Sequence, residues 1–204
     1  MWPVTPASPA DTAALSQVIA EAFHDLPPAW WLIPDPGQRR DIFPGYFALL
    51  IEQAMATGTV HTTLGRTAMA LWLPVAAEGP GQPGNSYSAR LAQITGGHTE
   101  RFAAFDAELD DHHPTGTAHH YLAILAVRPG AQGQGIGTAL LRAHHATLDG
   151  AGTPAYLEAS SERSCALYLR HGYIPGQPFH LPDGGPPLWP MWRPGGPASP
   201  ARSG

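Results

Sequence analysis

The fold is decided by the segment Tyr121-Leu-Ala-Ile-Leu-Ala-Val127-Arg-Pro129-Gly-Ala-Gln132-Gly-Gln-Gly135-Ile-Gly137-Thr-Ala-Leu-Leu-Arg142. A seven-residue apolar run stops at Pro129, and four glycines then lead into a helical pattern with Leu140 and Leu141. This order predicts a strand, a glycine-rich turn and a helix. Glycines let the backbone approach a ligand closely, and free N–H groups at a helix start bind anions. The segment therefore predicts a binding site for a phosphorylated ligand.

The spacing of the glycines separates the known kinds of phosphate-binding loop. A nucleoside-triphosphate loop needs a Lys-Ser/Thr pair after its last glycine, but Thr138 and Ala139 follow here and the chain contains no lysine. A dinucleotide loop needs G-x-G-x-x-G and an acidic residue about 20 positions later. Gly133, Gly135 and Gly137 form G-x-G-x-G, so the third glycine is misplaced for that loop.

Two segments resemble the GNAT acetyltransferases. The loop Gln132-Gly-Gln-Gly135-Ile-Gly137 is similar to their Q/R-x-x-G-x-G/A loop, which binds the pyrophosphate of acetyl-coenzyme A (acetyl-CoA). Residues 155–173 resemble a later block of the family, in which a helix carries a tyrosine four residues before a Gly-aromatic pair. Tyr168 and Gly172-Tyr173 have this spacing. The chain departs from the family at Ser161, where many members have an asparagine, and this puts one hydrogen bond to the coenzyme in doubt.

Length and composition predict one domain. The chain of 204 residues, 43% of them hydrophobic, suits a single globular domain over residues 1–193. Glycine and proline, 23 of each, are concentrated in residues 78–85, 181–190 and 194–204. The first of these stretches is interpreted as a flexible loop and the last as a disordered tail.

Charge, cysteine content and hydropathy argue against several classes of function. A net charge of −5 disfavours nucleic-acid binding and favours a cationic small substrate. Cys165 is the only cysteine, so a disulfide framework and a cysteine-based zinc cluster are excluded. No apolar run approaches the roughly 20 residues that span a bilayer, and no signal peptide is evident at the N-terminus. We therefore expect a cytoplasmic protein that binds neither nucleic acid nor membrane.

The eleven histidines include three adjacent pairs, at His112-His113, His119-His120 and His144-His145. Adjacent residues of a strand or helix point to different sides rather than converging. No bound metal is therefore expected.

The periodicity of the remaining segments predicts an α/β fold with a mixed sheet. An amphipathic helix starts at Asp11, and the prolines of residues 25–32 interrupt it. This order agrees with the resemblance, which implies a GNAT-like, mostly antiparallel central sheet flanked by helices. Further elements are helices over residues 38–56 (bent at Pro44), 87–94 and 100–109, a hairpin over 59–64 and 67–73, and closing strands over 174–181 and 188–192.

Within the family, three features are most similar to puromycin N-acetyltransferase. They are the Leu-Glu158-Ala-Ser segment, the aromatic-Leu-Ala opening of the central strand and a Pro-rich, Trp-bearing C-terminal hairpin. This likeness does not identify the acceptor.

The resemblance implies a role for several residues in acetyl transfer. The backbone N–H of Val127 is expected to stabilise the carbonyl oxygen, and the backbone of Leu125 to pair with the pantetheine arm. Tyr168 is the expected general acid, because a phenol with a pKa of about 10 can donate a proton to the departing thiolate. Each of these residues also has a purely structural interpretation, as a core side chain or a tyrosine packed on the sheet. The residues expected to bind the coenzyme are Leu125, Val127, Gln132, Gly133, Gln134, Gly135, Ile136, Gly137, Thr138 and Ser164.

The general base has more than one candidate. Many members place a glutamate on the central strand, six residues before the valine, and that position here is Tyr121, which cannot serve as a base. Glu158 is the first candidate, because a carboxylate flanked by apolar residues is expected to be half-buried with a raised pKa. It is equally well interpreted as an acceptor for turn amides. His119 and His120 could relay a proton through water, although a solvated strand end is the simpler interpretation.

The acceptor pocket in this family lies between the first two helices and the last hairpin. An aromatic lining there suits a hydrophobic or cationic amine, although the same side chains could fill the core. The residues expected to line the pocket are Phe23, Trp30, Trp31, Tyr46, Tyr121 and Trp189.

The function predicted is transfer of an acetyl group from acetyl-CoA, as a cosubstrate, to the amine of a small molecule, antibiotic-like compounds included. Direct attack in a ternary complex is expected, because Cys165 has no evident catalytic partner. Two alternatives stay open. One is a catalytically silent acyl-CoA-binding protein, permitted by Tyr121 and Ser161, and the other is acetylation of a protein N-terminus or side chain. A homodimer is also left open.

Overall fold

The computed structural model describes residues 2–81 and 85–196. Its strands are β1 (Val4–Pro6), β2 (Thr59–Thr63), β3 (Ala68–Val75), β4 (His119–Val127), β5 (Ala155–Ala159), β6 (Ile174–Pro175), β7 (Phe179–His180) and β8 (Pro187–Arg193). Its α-helices are α1 (Thr12–Phe23), α2 (Pro27–Leu32), α3 (Pro36–Thr57), α4 (Asn85–Thr95), α5 (Thr99–His112), α6 (Ile136–Ala151) and α7 (Glu162–Leu169). None of the helices within these ranges is long and apolar enough to cross a membrane.

The strands form one mixed sheet in the order β1-β2-β3-β4-β5-β8-β6, with β7 paired to β8. The β4–β5 pair is parallel, and the other neighbouring strands of this order are antiparallel. A parallel pair needs a crossover connection, and α6 supplies it between β4 and β5. The predicted α/β fold with a mixed, mostly antiparallel sheet is confirmed.

The elements predicted from the sequence are present, with three differences that proline and glycine explain. Strand β1 was not predicted, because it has three residues and Pro6 is one of them. Helix α2 forms where only a break was expected, since Pro27 and Pro28 occupy its first turn, where a missing N–H costs nothing. The single strand expected over residues 174–181 is divided into β6 and β7 around Gly176. Part of the predicted loop, residues 82–84, and most of the predicted tail, residues 197–204, lie outside the described residues.

Helices cover both faces of the sheet and bury a separate core on each. On one face, α1, α2, α3 and α5 pack on alternate residues of β3 and β4, among them Met69, Leu71 and Ile124. On the other face, α6 and α7 pack on Ala70 and Trp72. The alternation of buried side chains along β3 thus supplies both cores.

Strand β4 contains a β-bulge at Ala123. Leu71 of β3 pairs with Ile124, but its neighbour Trp72 pairs with Leu122, so one residue of β4 is left over. Leu122 and Ile124 therefore face opposite cores although they are two positions apart. A bulge bends its strand and increases the local twist.

Beyond this bulge, β4 and β5 diverge. Their parallel pairing includes only His120 with Ala155 and Tyr121 with Tyr156. Strand β4 then continues to Val127, whereas β5 continues to Ala159 against β8. A gap bordered by unpaired backbone opens between the two strands at the point where the glycine-rich turn begins.

A group of buried histidines packs α6 onto the sheet. The ring of His144 lies parallel to that of Trp72, with 4.2 Å between centroids, and its Nε2 is 2.9 Å from Nδ1 of His120. Burial and the nearby histidines, His120 first, lower the pKa of His144 to about 3. His144 is therefore neutral in the folded protein near neutral pH, because burial and the neighbouring histidines disfavour its charged form.

Replacing His144 by phenylalanine is expected to reduce the sensitivity of the fold to acid. The folded-state pKa of about 3 lies below the ordinary value of 6.5. The unfolded chain therefore binds more protons as the pH falls below 6.5, and the free energy of unfolding decreases down to about pH 3. Between pH 7 and pH 5, we expect the free energy of unfolding of His144→Phe to fall by about 1–2 kcal/mol less than that of the unchanged protein. Urea denaturation at both pH values measures it.

The carboxyl groups titrate equally in both proteins, so their contribution cancels in this comparison. The exposed His180 of β7, changed to phenylalanine in the same way, is the control for the substitution itself. An acid sensitivity of His144→Phe equal to that of the unchanged protein would contradict the buried neutral histidine.

Candidate active site

A cavity of about 1170 Å³ opens at the divergence of β4 and β5. Its walls come from α1, α3 and α5 on one side and from the glycine-rich turn, β5 and α7 on the other. Ligand-binding cavities typically measure about 300–1,000 Å³, so this space suits a large ligand or two ligands together. It joins the turn predicted to bind phosphate to the aromatic residues predicted to bind an acceptor.

The glycine-rich turn has the geometry of an anion site. Gly130, Gly133 and Gly135 have φ of +84°, +79° and +79°, a left-handed conformation that residues other than glycine rarely adopt. Gly135 is the N-cap of α6 and, having no side chain, leaves the first N–H groups of the helix uncapped. Such groups, aided by the helix dipole, bind phosphate.

Among the turn residues predicted to bind the coenzyme, Gln134 is the one that does not line the cavity. The side chain of Gln134 folds back, and its Nε2 donates to the backbone carbonyl of Gly130 at 3.3 Å. The backbone carbonyl of Gln134 accepts from Nε1 of Trp2 at 2.9 Å. Gln134 therefore supports the turn rather than lining the cavity. The predicted coenzyme residues of the turn that do line the cavity are Gln132, Gly133, Gly135, Ile136, Gly137 and Thr138.

The backbone at the end of β4 faces the gap. The N–H of Arg128 donates to the carbonyl of Thr67 at 2.8 Å, on the β3 side. Because successive N–H groups of a strand point to opposite edges, those of Val127 and Leu125 point away from β3. Strand β5 has already diverged there, so both N–H groups are available to a ligand, and both residues line the cavity. Nε2 of Gln132 donates to the carbonyl of Val127 at 3.1 Å and holds the turn against the strand end.

Helix α7 forms the wall beyond the turn. Ser161 caps it, its Oγ accepting from the N–H of Ser164 at 3.2 Å, so the position that differs from the family's asparagine serves the helix end. Ser164, one of the residues predicted to bind the coenzyme, lines the cavity. Arg163 and Arg170 also line it and were not singled out from the sequence, although their seven-residue spacing already put them on one face of the helix.

Tyr168 lies on α7 with its ring buried and lines the cavity. Burial, and secondarily the nearby Cys165, raises the pKa of its hydroxyl well above the ordinary value. The hydroxyl is therefore protonated at neutral pH and can act as a proton donor. Burial also raises the pKa of the Cys165 thiol, which makes it a poor nucleophile.

Glu158 lies on β5, two residues beyond the last β4–β5 pair, and lines the cavity. Its Oε1 is buried and has no hydrogen-bond partner among the described residues. Burial raises the pKa of this carboxyl to about 7, and the neighbouring hydroxyls of Tyr121 and Tyr156 offset part of the effect. A carboxyl with this pKa is half ionised at neutral pH and can accept a proton from an ammonium group.

The histidines at the start of β4 are not solvated, contrary to the simpler interpretation of the sequence. His119 is buried, and its Nε2 lies 2.9 Å from Nε2 of His113, which lines the cavity and was not predicted. His120 points to the opposite face and meets His144 beneath α6. Burial and the nearby His119 lower the pKa of His113 to about 4. Among the described residues, no group of three or more His, Cys, Asp or Glu side chains is arranged to hold a metal ion.

Three of the six predicted acceptor residues line the cavity, namely Phe23, Tyr46 and Tyr121. Trp30 does not, because α2 turns its side chain outward and leaves the residue 52% exposed. Trp31 does not either, since its Nε1 donates to the carbonyl of Pro182 at 3.0 Å. Trp189 of β8 packs against the core under α6 and α7.

Two aspartates of α5 line the cavity and were not predicted. Asp106 and Asp110 are one helical turn apart and therefore share a face. The hydroxyl of Tyr87 donates to Oδ2 of Asp106 at 2.8 Å. Burial raises the pKa of Asp106 to about 6 and also raises that of Asp110. The helical pattern of residues 100–109 could have indicated this face, but nothing in the sequence marks it as the side toward the cavity.

Comparison with known proteins agrees with this geometry. The family model described as acetyltransferase (GNAT) domain matches residues 94–175, which span α5 to β6 and include the turn. The structure is similar to that of the protein described as histone acetyltransferase HPA2 and related acetyltransferase from Corynebacterium glutamicum. That similarity has a TM-score of 0.72 and 31% identity over 98% of this chain and 99% of that one.

Two neighbours were solved with the coenzyme bound. A GNAT family acetyltransferase from Brucella melitensis, in complex with acetyl-CoA, has a TM-score of 0.52 and 18% identity over 98% of this chain and 92% of that one. The PaiA N-acetyltransferase from Thermoplasma acidophilum, in complex with coenzyme A, has a TM-score of 0.58 and 12% identity over 95% of this chain and 99% of that one. At these identities the two neighbours support the fold alone. These similarities do not indicate puromycin N-acetyltransferase in particular.

Replacing Gly135 by alanine is expected to weaken acetyl-CoA binding. A side chain at φ +79° costs about 1–2 kcal/mol, although a Cβ there would meet no atom within 4 Å. The turn is expected to relax and move its N–H groups, raising the dissociation constant about fivefold or more by calorimetry. The matched control is Gly150→Ala, within α6, where alanine favours the helix and the affinity is expected to stay unchanged. Equal affinities in both variants would contradict the role of the turn.

Proposed function

Because the chain belongs to the GNAT acetyltransferase family, we propose that it transfers the acetyl group of acetyl-CoA to the amine of a small molecule by direct attack in a ternary complex. One observation carries this proposal. A single cavity connects the glycine-rich turn, which suits a pyrophosphate, with the carboxyl of Glu158 and a set of aromatic side chains. A coenzyme and an amine can therefore meet within it.

The coenzyme is proposed to bind along the gap between β4 and β5. Its pyrophosphate would accept hydrogen bonds from the backbone N–H groups of residues Gln132 to Thr138. The side chain of Gln134 would take no part, because it supports the turn. The pantetheine arm would pair with the backbone of Leu125, replacing the strand contacts that β4 lacks beyond Tyr121. Arg163 and Arg170 would add positive charge near the phosphates, because α7 abuts the turn at Gly137.

Glu158 is proposed as the general base. The incoming amine is an ammonium ion in water and must lose a proton before its nitrogen can attack. Oε1 of Glu158, buried and without a partner, would accept that proton directly or through water. The nitrogen then forms a bond to the acetyl carbon, and the N–H of Val127 would stabilise the negative charge that develops on the carbonyl oxygen.

Tyr168 is proposed as the general acid. As the C–S bond breaks, its hydroxyl would donate a proton to the coenzyme sulfur. The nitrogen would lose its second proton as the amide forms, and that proton would return through water to the tyrosine oxygen, so the products would be the N-acetylated amine and free coenzyme A. A covalent route through Cys165 is disfavoured, because burial raises the pKa of that thiol.

A protein acceptor is the second candidate, since the protein from Corynebacterium glutamicum carries histone acetyltransferase in its description. An amine panel that includes puromycin and lysine-containing peptides, with release of free thiol as the readout, tests both candidates. Coenzyme binding by calorimetry without turnover of any acceptor would instead support a catalytically silent protein.

Changing Glu158 to glutamine is expected to remove a titration step from the rate. The carboxyl, with a pKa of about 7, accepts a proton only when ionised, so kcat/KM is expected to rise with pH through about 7. The variant is expected to lose this rise and to have a kcat lower by about 100-fold. Asp110, Tyr121 and Tyr156 lie near the carboxyl and are unchanged in this comparison.

The control is Glu100→Gln, the same chemical change at an exposed position of α5. It is expected to keep both the rate and the pH profile. A Glu158→Gln variant that retained the rise near pH 7 would assign the base to another group.

Changing Tyr168 to phenylalanine is expected to lower kcat by about 10- to 100-fold, because the departing thiolate loses its proton donor. The KM for acetyl-CoA is expected to stay within about twofold, since the ring and its packing are retained. Steady-state kinetics with a thiol-detecting reagent measures both.

Tyr173→Phe is the matched control. Tyr173 is buried beside Tyr168 but does not line the cavity, and its hydroxyl lies 3.1 Å from Nε2 of His145 of α6. We expect this control to lose some stability and to keep its kcat. An unchanged kcat in Tyr168→Phe would remove Tyr168 from the acid role.

A further inference from the structure

The two ends of the cavity carry opposite charge. The end at the glycine-rich turn includes the guanidinium groups of Arg163 and Arg170. The end at α5 includes the carboxyls of Asp106, Asp110 and Glu158. The first end complements an anionic coenzyme, and the second requires a cation.

The three carboxyls are not neutralised within the described part of the chain. The salt bridges found there involve other acidic residues, and the chain has no lysine. Asp106 accepts a hydrogen bond from the neutral hydroxyl of Tyr87, which does not cancel a charge. Burial is the main cause of the raised pKa of Asp106 and of Glu158, and the negative charge of Asp110 adds to both, so the three groups lie in one region of negative potential.

A separate observation points to a ligand at this end. Oε1 of Glu158 is buried with no hydrogen-bond partner among the described residues, and its residue lines the cavity. A buried oxygen without a donor is unfavourable, and a donor on a ligand relieves it. The carboxyl end is therefore built to receive an N–H group.

One ammonium group cannot satisfy all three carboxyls during the reaction. The reacting ammonium gives its proton to Glu158 and becomes neutral, which removes one positive and one negative charge together. Asp106, which is partly buried, and Asp110, which is exposed at the cavity, are left as before, so their like charges still repel each other. A cation that persists through the reaction relieves this repulsion.

We propose that the acceptor carries a second cationic group, an ammonium or a guanidinium, which Asp106 and Asp110 bind while the reacting amine reaches Glu158. This inference rests on the proposed acetyl transfer and names its substrate class. The aromatic rings of Tyr46 and Tyr121, which line the same part of the cavity, would contact the alkyl or aromatic body between the two cations.

The test compares α,ω-diaminoalkanes of three to eight carbons with the monoamines of equal length, at saturating acetyl-CoA. We expect kcat/KM for the best diamine to exceed that of its monoamine by about tenfold or more. The preference is expected to shrink when the ionic strength is raised from 0.05 M to about 0.5 M, because salt screens the pair between Asp110 and the distal cation.

Asp110→Asn identifies the residue responsible. The variant is expected to reduce the diamine-to-monoamine ratio about fivefold or more, mainly through the KM of the diamine. Asp111→Asn is the matched control, since Asp111 is the next residue of the same helix and is also exposed but does not line the cavity. It is expected to keep the ratio.

Direct binding gives a readout that does not depend on turnover. Calorimetry with the protein saturated with coenzyme A is expected to detect the diamine with higher affinity than the monoamine, and Asp110→Asn is expected to remove the difference. If monoamines were acetylated as efficiently as diamines, or if Asp110→Asn left the ratio unchanged, the proposed second cationic group would be wrong. The proposed acetyl transfer would remain intact. Absence of turnover with every amine, with the diamine still preferred in binding, would overturn the transfer alone.

Discussion

The divergence of β4 from β5 is the feature on which the rest of the site depends. The strands pair through Tyr121 and Tyr156 and then diverge, because the bulge at Ala123 turns β4 and the crossover through α6 begins at its end. An ordinary parallel pair would have used the N–H groups of Leu125 and Val127 for the sheet. Here β5 has already diverged from them, and the gap opens between two hydrophobic cores that support its walls.

The parts of the fold that follow from local chemistry were predictable from the sequence. The apolar run of β4, the glycines at positive φ and the helix that follows depend on residues adjacent in the chain, so their pattern was readable. Pro27 and Pro28 were harder to interpret, because proline breaks a helix interior and also starts a helix. The sequence alone does not distinguish these two effects of proline, and the packing of α2 does.

The site was predictable only where backbone geometry or a resemblance defined it. The glycine turn and Tyr168 were found because their spacing repeats a family pattern. Asp106, Asp110 and His113 were not predicted to line the cavity, because only the tertiary arrangement places α5 and its C-terminal end along it. Trp30 and Trp31 were included on residue type alone, and adjacent residues on a short helix cannot share one face.

The cavity has a buried carboxyl, that of Glu158 on β5, although the β4 position of the family's usual glutamate is Tyr121. Tyr121 and Tyr156 are partners across the last parallel pair, and Glu158 lies two residues beyond Tyr156 on the same face of β5. The carboxyl thus lies on the neighbouring strand but still borders the gap. Burial raises its pKa, and the two tyrosine hydroxyls counteract this, so the pKa stays at about 7. A carboxyl with this pKa gains and loses a proton near neutral pH, as the base proposed for this site must, and a buried carboxyl without those hydroxyls would lose its proton less readily.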